Sequence, residues 1–143
     1  MSSEALAKLV QEQIRVEKNF VLDIDKQIEG IHNVAAKLLL METKMDSQKH
    51  AMILEGILKV ITSKNARPLW DTLQDTYVDK LVVKKNLENH MKTEIAMLGL
   101  IEKEMKGTED EGIRLLLEHI ANDEKKHHQI LETVVRQAYK IKP

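Results

Sequence analysis

The sequence has no cysteine. That excludes a disulfide framework, a zinc ribbon, an iron–sulfur cluster and thiol catalysis. Glycine and proline are scarce, at 5 and 2 of 143 residues, which leaves few forced breaks in a helix. Aromatics make up only 3%. Trp70, Tyr77 and Tyr139 read as packing residues and the seven Met as core fillers. Charge of one sign is lacking too: the formal net charge is −1, so no global basic field marks a nucleic-acid binder. Lys84-Lys85 and Lys125-Lys126 are local pairs that read as solvated helix faces. No apolar run approaches the roughly 20 residues a membrane span requires. The opening Met1-Ser2-Ser3-Glu4-Ala5 lacks the charged and apolar regions of a signal peptide. A cytoplasmic protein that meets neither membrane nor nucleic acid is the expectation.

What is present is 43% hydrophobic and 31% charged, rich in Leu, Lys, Glu and Ile, and so mostly helical. The length suggests one domain, 1–143. Four helices are predicted, at about 3–29, 33–62, 78–106 and 109–139. Ser2 or Ser3 caps the first. Gly30 and Gly107 stand where left-handed C-terminal caps would end the first and third. Thr108-Glu109-Asp110-Glu111 reads as the capping box that starts the fourth. Residues 63–77 form a crossover around Pro68, with Leu69, Trp70, Leu73 and Tyr77 at the spacing of a short helix. Antiparallel neighbours need only two to eight connecting residues. About fifteen can return along a helix roughly 40 Å long.

Heptad seams run along every helix, the pattern of helices packed nearly parallel. Polar residues interrupt them. Glu17 falls between Val10 and Ile24, with Leu6, Gln13 and Phe20 on the adjacent seam. His50 and Ser47 break the seams of the second helix, Glu94 that of the third, and Glu124 and His127 those of the fourth. Glu124 and His127 are three residues apart, on one helix face.

The two halves align without a gap at an offset of 77. Glu17 meets Glu94, Ile24 meets Ile101, Gly30 meets Gly107 and His50 meets His127. Leu38-Leu39-Leu40 meets Leu115-Leu116-Leu117, and Asp46 meets Asp123. Two similar hairpins joined by a long crossover make a four-helix bundle with approximate two-fold symmetry. By residue count about Gly30, Glu17 and His50 differ in level by about two turns, or roughly 10 Å, and Glu94 and His127 differ equally about Gly107.

An uncompensated carboxylate in a helical core costs several kcal/mol. Compensation can come from a hydrogen-bonded Glu–His network, from a wet cavity, or from a metal ion. Three Glu and two His at repeated spacing favour the metal, for which carboxylate and imidazole suit iron, manganese or zinc.

The chain resembles the ferritin-like, rubrerythrin-type di-iron carboxylate proteins, which use one Glu from each of two helices and a Glu-x-x-His pair from each of the others. The resemblance rests on Glu94 followed thirty residues on by Glu124-Lys125-Lys126-His127, and Glu17 followed equally by Ser47-Gln48-Lys49-His50. It implies a bundle with Glu17 and Glu94 as terminal ligands, Glu124 bridging, and His50 and His127 each binding one metal. No catalytic residue beyond these ligands is expected. Ser47 stands where the family has its second bridging Glu. Water or hydroxide could fill the gap, one metal site could be weak or empty, or His90, Asp46 or Glu42 could substitute. His90, four residues before Glu94, is the best placed of these, although an ordinary half-buried histidine is the plainer reading. Asp46 and Glu42 read as solvated or ion-paired.

The resemblance also implies an oxidoreductase in which iron reacts with peroxide, dioxygen or further Fe(II). With no cysteine-bound iron domain, its electrons must come from an external donor. The alternative is a non-catalytic metal carrier or structural bundle with a degenerate site. Oligomeric state is left open, a homodimer included.

Overall fold

A computed structural model describes residues 1–64 and 77–139, apart from the side chains of 77–79 and 138. The helices are α1 (Ser3–Ile28), α2 (Val34–Ile61), α3 (Tyr77–Lys106) and α4 (Glu111–Ala138). Each limit lies within two residues of its sequence expectation, and no strand occurs among the described residues. α1 packs along α2, and α3 along α4, giving the two expected helical hairpins. Most of the predicted crossover, 65–76 with Trp70 and its short helix, lies outside the described residues. No described helix is long and apolar enough to cross a membrane.

Short polar side chains start three of the helices by accepting from otherwise unpaired backbone N–H groups. Ser2 Oγ accepts from the Ala5 N–H at 3.1 Å, and Asn33 Oδ1 from that of Ala36 at 2.9 Å. Asp110 Oδ1 accepts from the N–H groups of Gly112 and Ile113, at 2.8 and 3.1 Å. The capping box expected from Thr108 is therefore not the one that forms. Thr108 Oγ1 instead accepts from the Asp110 N–H at 3.2 Å. A carboxylate serves two donors at once and favours the positive end of the helix dipole, so Asp110 takes the cap.

The left-handed caps expected at Gly30 and Gly107 do not occur either: no described glycine has positive φ. The Gly30 N–H donates to the Gln27 carbonyl at 3.1 Å, and that of Gly107 to the Glu104 carbonyl at 3.0 Å. The last turn tightens into bonds spanning three residues, which satisfy terminal carbonyls without a left-handed residue.

The offset of 77 persists in three dimensions. α2 and α4 start and end 77 residues apart, their caps Asn33 and Asp110 correspond, and so do the bonds of Gly30 to Gln27 and Gly107 to Glu104. Ile24 and Ile101 correspond and are both buried.

Each hairpin has a narrow core, because a pair of helices covers only the stripe that each turns toward its sibling. In the first hairpin that stripe buries Val10, Ile24, Ser47 and Ala51. Leu6 and Phe20, on the neighbouring seam, stay 39% and 36% exposed. Full burial of an isoleucine such as Ile24 is worth about 1.5–3 kcal/mol. Lys44–Asp25 (2.6 Å) and Lys18–Glu55 (2.7 Å) bridge α1 and α2. Such exposed pairs add at most about 1 kcal/mol each and fix how the helices face one another.

Candidate metal centre

Both hairpins bring their interrupting Glu and His together. In the first, Glu17 Oε1 lies 3.4 Å from His50 Nδ1. In the second, Glu94 Oε1 lies 3.9 Å from His127 Nδ1. The level difference of roughly 10 Å counted from the sequence thus does not keep the side chains apart. Side chains on a helix lean toward the helix N-terminus, which helps to close it. Glu17 on α1 leans away from the turn while His50 on α2 leans toward it, so in an antiparallel pair the two meet. The same holds for Glu94 on α3 and His127 on α4.

The repeated positions have nearly equal exposure. The Glu17 and Glu94 side chains are 16% and 14% exposed, and those of His50 and His127 are 46% and 48% exposed. Each Glu is therefore mostly buried, and each His reaches the rim.

The hairpins differ one turn along. Glu124, on α4, puts Oε2 3.8 Å from His127 Nδ1 and is itself 14% exposed. Glu94, Glu124 and His127 each offer one donor atom, all within 4.8 Å of one another. A first-row divalent ion holds such donors about 2.0–2.2 Å away, so their spacing suits one ion. Two oxygens are also left without hydrogen bonds: Oε2 of Glu94 and Oε2 of Glu124 are buried with no hydrogen-bond partner. A buried, unpartnered carboxylate oxygen is costly, and a cation removes the cost. The donor set and the orphaned oxygens both fit a bound metal.

In the first hairpin the position of Glu124 is taken by Ser47, which is 6% exposed. Glu17, Ser47, His50 and Asp46 line an open groove of about 420 Å³. Asp46 pairs with Lys49 at 2.9 Å. Neither Glu17 oxygen is both buried and unpartnered.

His90 lines an open groove of about 310 Å³ together with Glu94, His127, Ile130 and Leu131. His128 has no role in the sequence reading. It falls off both heptad seams of α4, yet is four residues from Glu124 and so shares its face. Its side chain is only 23% exposed. Nε2 lies 3.1 Å from Glu132 Oε1, while Nδ1 is buried without a hydrogen-bond partner. The i+4 spacing from Glu124 was the available signal.

The rubrerythrin family model matches residues 6–135, a segment that contains Glu17, His50, Glu94, Glu124 and His127. The chain belongs to the rubrerythrin family. No curated protein and no solved structure matches it. As a rubrerythrin-family chain it is a ferritin-like, metal-binding protein, and iron is the metal that the family implies. Two helical hairpins that each bring a mostly buried Glu beside a His are consistent with that membership.

Proposed function

We propose that this rubrerythrin-family chain is a metal-dependent redox protein working as a single domain, 1–143. Glu17, His50, Glu94, Glu124 and His127 are its ligands. Iron, as a di-iron centre, is the first choice of metal, then manganese, with zinc as a redox-inactive occupant. The oxidant is peroxide or dioxygen, or the substrate is Fe(II) itself. The observation that carries this reading is the pair of buried, unpartnered oxygens on Glu94 and Glu124 beside His127 Nδ1.

Bound iron or manganese would supply one-electron redox change and Lewis acidity. The protein's own part is to hold charge and exclude water. Glu94 and Glu124 together neutralise a divalent ion, and their burial strengthens that attraction. His127 contributes Nδ1 at the rim, where small oxidants have access. Ile130 and Leu131 give the groove an apolar wall. His50 Nδ1 and Glu17 Oε1 lie 3.4 Å apart and would be the donors of the first hairpin. The chain contains no cysteine, so the reducing electrons come from an external donor.

Iron-loaded protein is expected to consume peroxide, and Glu124→Ala to abolish that consumption. Unchanged turnover in the variant refutes the assignment. Ser47 favours a second reading, a carrier or structural module with a degenerate site. Metal analysis separates the two: two ions per chain support the redox centre, one marks a degenerate site, and none after reconstitution supports the structural reading.

A further inference from the structure

The repeat compares the two hairpins position by position. The second has His90, Glu94, Glu124 and His127 where the first has Gln13, Glu17, Ser47 and His50. One set consists of four metal-ligating side chains and the other of two. The packing shows the same asymmetry. Glu17 and His50 form a simple pair at 3.4 Å, whereas Glu94 and Glu124 each keep a buried oxygen without a hydrogen bond.

We infer that the second hairpin by itself holds the first metal ion, with His90 as its fourth ligand beside Glu94, Glu124 and His127. The inference rests on the metal-binding reading above and assigns His90 a role within it. Three arguments support it. His90 is four residues from Glu94 on α3, so both project from one helix face. It lines the groove that exposes Glu94 and His127, on the open side of the cluster. Its nitrogen also suits the charge count. Two carboxylates already neutralise a divalent ion, and the three donors of the close group leave a four-coordinate ion one short. A neutral imidazole completes the shell without adding charge. His90 stands outside the group that lies within 4.8 Å, so its part as a ligand requires a rotation of its side chain toward the ion. His90 is exposed, which leaves its side chain free to turn.

The test is titration of the full-length, metal-free protein with Co(II), following the visible ligand-field bands and the first binding constant. His90→Ala and His90→Asn should each weaken the first ion at least about tenfold, the scale on which even outer-sphere partners of a metal act. Both should shift the visible bands, and circular dichroism should show unchanged helix content. Gln13→Ala, at the equivalent position of the first hairpin, should leave affinity and spectrum as they were. Wild-type affinity and bands in both His90 variants overturn the inference, and so does an equal loss in Gln13→Ala. If Glu124→Ala loses the ion while the His90 variants keep it, the metal-binding reading stands and the role of His90 falls. If the wild type takes up no Co(II), both fall.

Discussion

Glu94 illustrates the tension at single residues. A side chain 14% exposed with an unpartnered oxygen is a liability that a bound cation would relieve. Glu94→Gln keeps the shape and removes the charge. It is expected to stabilise the metal-free protein by about 1 kcal/mol while losing the thermal shift that metal produces. Denaturant melts with and without Mn(II) check both signs. Ser47 offers the converse test. Ser47→Glu places a carboxylate in a buried position, so the metal-free variant should melt lower than wild type. With Mn(II) it should bind an additional ion and recover stability. A variant that melts lower and gains no ion argues against Ser47 as the missing ligand position. The five candidate positions were visible in the sequence because each breaks an apolar seam. His128 was not, because it lies off both seams and its burial depends on how α4 rotates against α3.

At the scale of the elements, helix limits were readable because long helical runs are flanked by short polar residues, Ser2 among them. The caps at Asn33 and Asp110 emerge only in the structure. Removal of the Asp110 side chain by Asp110→Ala should cost about 1 kcal/mol in a urea melt, since two backbone donors lose their acceptor. The ends at Gly30 and Gly107 read less well. A glycine after a helix signals a stop and does not say which backbone conformation makes it. Neither has positive φ, and a Cβ would meet only ordinary contacts, 3.8 Å from the Gln27 carbonyl oxygen at Gly30 and 3.5 Å from the Glu104 one at Gly107. Gly30→Ala and Gly107→Ala should therefore stabilise the protein by about 0.4–1 kcal/mol each, through the unfolded chain. Loss of stability in either would restore the left-handed cap. The meeting of Glu with His across each hairpin also belongs to this scale. Counting residues from a turn misjudged it, because such counts follow Cα atoms and ignore the lean of side chains.

Over the whole chain, the repeat at 77 was visible in the sequence and recurs in helix limits, caps and the exposure of the paired Glu and His. At the repeated position the second hairpin carries Glu124 and the first Ser47. Metal occupancy should couple to global stability. At a free metal concentration 100 times Kd, binding to the native state adds about 2.7 kcal/mol, which raises Tm by about 5–10 °C for a chain of this size. The most direct measurement of all is an anaerobic Fe(II) titration of the metal-free protein, with iron counted per chain after desalting. Retention of at least one ion per chain by the wild type, and its loss in Glu124→Ala, is the predicted result. No retained iron, or the same amount in both proteins, would contradict a metal centre built on Glu94, Glu124 and His127.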